Sequence, residues 1–312
     1  MPLAIRTEKL GKTYLSGFLR RPFVALSELT MEVRVGSSFG LVGPNGAGKT
    51  TAIKTLMGLQ RPSAGQAWIH GVAITDHESR RRVGFMPERP YFYEYLTAWE
   101  FLDFYARLTE VEAAARRPRI EALLERVNLD RFRHVPLGKF SKGMLQRAGI
   151  AQALVNDPDL VVLDEPMSGL DPLGRVLVRD IIQEERRKGK TVFFSSHILG
   201  DVEAICDEVA IVVAGTLRGQ GTVRELIGQT ADEVDCTFVI AGDPPGRVMR
   251  RDGERVTVRV PSGNVDATID AVRAAGGHVL EVHPNARTLE EVLLDEVERA
   301  KLVNEKRLGV LA

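Results

Sequence analysis

The stretch GPNGAGKT (Gly43–Thr50) constrains this chain more than any other. It fits the pattern G-x-x-x-x-G-K-[ST] without a mismatch. A short apolar strand, SSFGLVG, precedes it, and a helical run that stops at Gly58 follows. Gly43, Gly46 and Gly48 let successive backbone N–H groups, those of Pro44–Ala47 included where a proton exists, converge on one anion with no Cβ in the way. The helix starting there adds the positive end of its dipole. Lys49 places a point charge on the β- and γ-phosphates, and Thr50 offers a hydroxyl of the size and hardness that Mg²⁺ accepts. Thr51 can donate to a neighbouring phosphate. The competing reading is a Gly-rich strand-to-helix turn with a chance lysine. The intact pattern in its strand–helix context favours phosphate binding over it.

Around this loop the apolar pattern reads as α/β. Ala4–Leu10 and Leu26–Val35 alternate as antiparallel strands, with SGFLRRPF (Ser16–Phe23) as the loop between them. Residues from about Glu88 to Val155 are mostly helical in pattern. DLVVLDEP (Asp159–Pro166) and KTVFFSSH (Lys190–His197) are buried-type strands joined by a helix that ends near Gly189. That alternation predicts a parallel sheet with helices on its faces. Beyond Gly221 the strand ERVTVRV, the helix VDATIDAVRAAGG, the strand HVLEVH and a final amphipathic helix from Leu289 predict a small α+β domain of two βαβ-like pieces. The expected division is therefore 1–225 and 226–312, with a helical subdomain at about 88–155.

Composition narrows the partners. Forty-two basic residues balance forty-two acidic ones, which argues against a nucleic-acid partner held by bulk charge. The two cysteines, Cys206 and Cys236, form no CxxC pair and imply neither zinc nor a disulfide framework. No apolar stretch approaches the ~18 residues that a spanning helix requires. The N-terminus carries charges where a secretory signal needs its apolar run. The expectation is a cytoplasmic chain that reaches a membrane only by docking to something already there.

VVLDEP ends a buried strand in two acids. Such acids are either solvated at a strand end or held by a cation or ligand, and the loop upstream favours the second reading. Asp164 is placed to support an Mg²⁺ shell, and Glu165 to orient and deprotonate an attacking water. KFSKGMLQR, which contains Ser141 and Gly143, reads on its own as a helix cap.

Taken in order, these motifs resemble the ATP-binding-cassette (ABC) ATPases. GPNGAGKT is similar to the family's Walker A, FSKGM to its signature motif, LVVLDE to its Walker B and SGLD (Ser168–Asp171) to its D-loop. His197 resembles the switch histidine and Tyr14 the A-loop aromatic that stacks on adenine. Glu88, in GFMPERP, falls where the Q-loop belongs. The resemblance covers Tyr14 to His197. It implies an ABC cassette fold with an antiparallel β subdomain, a parallel-sheet core and a helical subdomain. It also implies ATP and Mg²⁺ as cofactors and a second cassette, in a homodimer, facing this one head to tail. Ser141 and the Gly143 N–H would then bind the γ-phosphate of the partner's nucleotide, and Asp171 would belong to the D-loop at the same interface.

Two departures stand out. The family's usual LSGGQ is FSKGM here, and its Q-loop Gln is Glu88. A carboxylate there brings charge where an amide would coordinate neutrally. Both variants resemble the exporter branch that pairs separate ATPase and membrane chains, and the C-terminal extension is similar to one carried in that branch. The leading expectation is the ATPase subunit of an exporter, working through a polytopic permease at the inner face of the membrane. The alternatives are a non-transport cassette acting on nucleic acid or ribosomes, and a regulatory or immunity subunit.

Overall fold

The computed structural model describes residues 2–16, 21–227, 233–284 and 288–309. In chain order the elements run β1 (Leu3–Ser16), β2 (Arg21–Arg34), β3 (Ser38–Val42), α1 (Lys49–Leu56), β4 (Ala64–Ile69), β5 (Val72–Ala73) and β6 (Val83–Met86). Three helices follow, α2 (Ala98–Leu108), α3 (Ala113–Arg126) and α4 (Lys142–Leu154). The chain then alternates through β7 (Leu160–Asp164), α5 (Pro172–Arg187), β8 (Thr191–Ser196), α6 (Leu199–Ile205), β9 (Glu208–Val213) and β10 (Thr216–Gly221). It ends with α7 (Val223–Ile227), β11 (Glu233–Val239), β12 (Arg247–Asp252), β13 (Arg255–Pro261), α8 (Val265–Ala274), β14 (His278–Pro284) and α9 (Leu289–Gly309).

Two compact units divide the chain, Met1–Val223 with Leu293–Ala312, and Arg224–Val292. The first holds an antiparallel sheet of order β2-β1-β4-β5 and a six-stranded sheet of order β10-β9-β3-β8-β7-β6. The six-stranded sheet is parallel except for β10. Its central strands β3, β7 and β8 are buried along their whole length, as a sheet covered on both faces requires. One apolar core joins the two sheets through α1, with Leu29, Met31, Phe39, Ile53, Leu160 and Phe193 among its members. Burying each such side chain stabilises the fold by about 1.5–3 kcal/mol.

The strand register matters for the site. β1 and β2 extend well beyond the runs expected from alternation, and Tyr14 pairs directly with Phe23 across the hairpin. Phe23 therefore lies on a strand, not in a loop; residues 17–20 of the expected loop lie outside the described residues.

The second unit has a sheet of order β12-β13-β11-β14 with every pair antiparallel. β13 and β14 flank β11, so they run parallel to each other and α8 joins them. That is one split βαβ, not the expected two βαβ-like pieces. The remaining strand, β12, joins β13 through a tight hairpin at Gly253–Glu254, where Gly253 takes φ 59°. Both cysteines are free, with Cys236 buried and Cys206 half-buried.

Candidate functional site

The phosphate loop leaves β3 and enters α1. No side chain caps α1, so its first N–H groups face the loop without a competing acceptor from the chain. Gly48 takes φ 104°, and a Cβ there would meet the Ala25 carbonyl at 2.6 Å. Gly43 is tighter still, since a Cβ would meet the Val212 carbonyl at 2.1 Å. Only glycine fits either position. Lys49 is 6% exposed, and its Nζ donates to the Gly43 carbonyl at 2.8 Å. The same ammonium lies 3.2 Å from Glu165 Oε1.

Asp164 closes β7 and is fully buried. Its Oδ1 accepts from Ser195 Oγ at 2.6 Å and from Thr50 Oγ1 at 3.2 Å. Its Oδ2 has no partner among the described residues. Burial raises the Asp164 pKa above its ordinary value; the Ser195 and Thr50 hydrogen bonds oppose this, and the charges of Glu88 and Glu165 add to it. A buried carboxylate oxygen with no donor, beside a threonine hydroxyl, is the donor set of a hard cation. Among the described residues no three His, Cys, Asp or Glu side chains cluster as a metal cage. Mg²⁺ needs no such cage, because it keeps waters and takes phosphate oxygens.

Glu165 follows with φ 53°, a left-handed backbone that costs a non-glycine residue roughly 1–2 kcal/mol. Its Oε2 lies 2.7 Å from His197 Nδ1. Its N–H donates to Ser195 Oγ at 2.9 Å, and its carbonyl accepts from Gln146 Nε2 at 3.0 Å and from the Ser168 N–H at 3.1 Å. One carboxylate thus sits between a lysine and an imidazole at the end of a buried strand.

Lys49, Thr50, Glu165 and His197 share a cleft of about 530 Å³ lined by Asn45–Thr51, Phe23, Glu88, Glu165, Ser168 and His197, with Asp164 buried behind it. Phe23 is 57% exposed. Tyr14, the aromatic expected to face adenine, is not on this wall. Its hydroxyl donates to Gln60 Oε1 at 2.5 Å, and the Lys12 ammonium lies 5.2 Å from its ring centroid. Directly paired residues share one face of the hairpin, so Tyr14 stands beside Phe23 while its hydroxyl is held by Gln60.

Ser141 and Gly143 lie in a second pocket of about 470 Å³ that shares no residue with the first. Ser141 caps α4 by accepting from the Met144 N–H at 3.2 Å. Asp171 caps α5, with its Oδ1 accepting from the Gly174 N–H at 2.7 Å. The side chain of Lys142 lies across Gly169, where a Cβ would meet Lys142 Nζ at 2.7 Å. Arg147 is the pocket's second cation; burial lowers its pKa and the Asp171 charge partly restores it. The loop Ser168–Asp171 spans both pockets, with Ser168 in the first and Gly169–Asp171 in the second. Sequence reasoning missed Phe23, Gln146 and Ser195 as site residues, and read Ser168 only as the start of the D-loop. SSH, beside the expected histidine, was the available signal for Ser195.

Comparison with known proteins identifies the family. Residues 26–168 match the sequence description of the ABC transporter family. An uncharacterised ABC transporter ATP-binding protein of Nostoc sp. is 40% identical over 309 residues, covering 96% of this chain and 91% of the relative. The Nod factor export ATP-binding protein I of Ralstonia nicotianae is 37% identical over 218 residues, covering 69% and 67%. Among solved structures, an ATP-binding subunit of an ABC transporter superposes with a TM-score of 0.65 at 32% identity, covering 72% of this chain and 91% of that one. The dimeric cassette MJ0796 bound to ADP and Pi gives the same TM-score at 23% identity, covering 70% and 99%, and shows the fold alone. No helix among the described residues is long and apolar enough to cross a membrane. The chain belongs to the ABC transporter family, as one of its ATP-binding, ATP-hydrolysing subunits.

Proposed function

We propose that this subunit drives an ABC exporter, closing as a homodimer on ATP and working through a separate polytopic permease at the inner face of the membrane. In this reading residues 1–225 are the cassette and 226–312 an accessory domain. The observation that carries dimer closure is the separation of the two pockets. The P-loop cleft holds Lys49, Glu165 and His197, while Ser141 and Gly143 line a separate pocket elsewhere on the chain. A second copy turned head to tail brings the missing half to each cleft. Leu173, 81% exposed beside the second pocket, is apolar surface suited to that copy. Export is supported by the Nod factor export relative.

In the cleft, Lys49 and Glu165 are paired at 3.2 Å. A bound γ-phosphate competes for the lysine, which frees the carboxylate to accept a proton. Glu165 then takes a proton from water as the oxygen attacks the γ-phosphorus, and the bond to the β–γ bridging oxygen breaks to leave ADP and phosphate. His197, 2.7 Å from the carboxylate, orients it and carries a ring nitrogen toward the phosphoryl group. Thr50 and Asp164 would hold Mg²⁺, which supplies charge neutralisation on the phosphates when bound. Phe23 offers its ring as a face for the base, and Glu88 stands at the cleft's border with the helical subdomain as the hinge to the permease.

Glu165→Gln tests the chemistry. It should keep ATP binding and lower turnover by roughly 10²–10⁴-fold. Near-normal turnover removes Glu165 as the base. Ser141→Arg should spare ATP binding to the monomer and abolish ATP-driven dimerisation. Co-purification from membranes with a polytopic chain supports export, whereas ATPase stimulated by nucleic acid would favour the non-transport reading.

A further inference from the structure

Glu165 holds a left-handed backbone that a glycine would take freely, so something must hold it there. Its N–H is fixed by Ser195. Its carbonyl is fixed by Gln146, whose Nε2 donates to Glu165 at 3.0 Å and to the next carbonyl, Pro166, at 3.1 Å. Gln146 is 6% exposed, so these two bonds are shielded from water. It comes from α4, whose first turn carries Ser141 and Gly143. One buried amide therefore connects the helix of the second pocket to the backbone of the residue whose carboxylate lines the first.

We propose that Gln146 is a positioning residue for hydrolysis, holding Glu165 in its left-handed conformation and tying that carboxylate to the helix that carries Ser141. The inference rests on the reading of Glu165 as the base. Removing the amide takes the donor from the Pro166 carbonyl and leaves the Glu165 carbonyl with the Ser168 N–H alone, and the Glu165–Pro166 peptide relaxes toward ordinary backbone angles. The carboxylate then leaves its place between Lys49 and His197.

The test measures kcat and KM for Mg-ATP on the full chain carrying Gln146→Met, Glu165→Gln or both. Methionine keeps the length and volume and removes the donors. A displacement of about 1 Å at a catalytic group is worth on the order of 10²-fold, so Gln146→Met should lower kcat by about 10–10²-fold. KM for ATP should stay within about 2-fold, because the phosphate loop is untouched. In the Glu165→Gln background the same change should add nothing, since it acts through that carboxylate. Gln146→Asn, which keeps an amide one methylene shorter, should fall between wild type and Gln146→Met, and it carries the comparison if the methionine variant does not fold. An unchanged kcat in a folded variant, or a loss that adds in full to that of Glu165→Gln, overturns the inference. Normal turnover of Glu165→Gln alone instead removes the base assignment, and the inference with it.

Discussion

The Nδ1 of His197 lies 2.7 Å from Oε2 of Glu165, on the side of the carboxylate away from Lys49. The imidazole is 42% exposed and the carboxylate 10%, so the histidine forms the lid of the pair and the glutamate its floor. His197→Ala leaves the Glu165 backbone contacts to Ser195 and Gln146 intact but releases one carboxylate oxygen. Turnover should fall about 10²-fold while ATP binding is retained. Steady-state kinetics beside a nucleotide-binding titration checks both halves, and a parallel loss of ATP affinity would mean that His197 serves binding instead.

Two aromatic residues paired across the hairpin differ in their contacts. Phe23 lines the cleft, whereas the Tyr14 hydroxyl is engaged by Gln60. Stacking of a base on an aromatic ring is worth about 1–3 kcal/mol, which corresponds to roughly 5–150-fold in affinity. Phe23→Ala should weaken ATP by an amount in that range, and Phe23→Tyr should restore it. Tyr14→Ala should change ATP affinity by less than about 3-fold, since it removes only a partly exposed hydrogen bond. Equilibrium binding of ATP to the three variants decides between the walls, and the reverse ranking would return the role to Tyr14.

Asp164 makes the site pH-sensitive in a definite direction. Its folded pKa is raised, first by burial and further by the Glu88 and Glu165 charges. Above its ordinary value of 3.8, the folded state thus holds this proton more tightly than the unfolded chain does. Stability from this group is greatest at low pH and declines as pH rises through the raised folded pKa. Asp164→Asn, which mimics the protonated acid, should therefore stabilise the nucleotide-free chain at pH 7 by roughly 1–3 kcal/mol. Thermal melts without Mg²⁺ check this, and the gain should vanish as pH falls toward 3.8. The same variant should lose ATPase activity. Glu88→Gln removes a like charge, so it should lower the Asp164 pKa and move the acid limb of the pH–rate profile to lower pH.

The parts of this site that were legible in the sequence are those whose chemistry is written in consecutive residues. GPNGAGKT carries its glycines, lysine and threonine together, and LDE puts two carboxylates at the end of one apolar strand. What was not legible depends on neighbours brought together from afar. Gln146 reaches Glu165 from a helix, Ser195 bridges Asp164 and Glu165 from an adjacent strand, and Phe23 reaches the cleft through the hairpin pairing opposite Tyr14. Phe23 falls in the expected loop because the hairpin strands pair beyond the apolar runs that mark them. In the C-terminal unit the hidden feature was strand order. The apolar alternation of β13 and β14 marked them as strands, but that β11 lies between them is a property of the sheet and not of any strand.

A buried ion cluster ties the helical subdomain to the parallel core. Glu185 on α5 is 2% exposed and meets three cations. Arg126, from the end of α3, reaches its Oε1 at 2.6 Å; Lys188 lies 3.2 Å from the same oxygen and Lys190 2.8 Å from the other. Burial works to raise the Glu185 pKa, but Lys190 and Arg126 outweigh it and leave the carboxyl below its ordinary value. Its contribution is therefore present above the ordinary value of 4.5 and is lost as pH falls through the depressed folded pKa. Removing one partner of a buried ion pair costs about 3–5 kcal/mol, and the lysines that remain place Arg126→Met at the lower end of that range. At this chain size each kcal/mol moves the melting temperature by roughly 2–4 °C. Arg126→Met should thus melt about 6–12 °C below wild type at pH 7, and the gap should narrow as pH falls below 4.5 and Glu185 takes a proton. Adding Glu185→Leu should recover most of the loss, because the buried charge leaves with its partner. If the double variant is no more stable than Arg126→Met, the arginine acts through its packing on α5 and its contact with Glu184, and not through the buried charge.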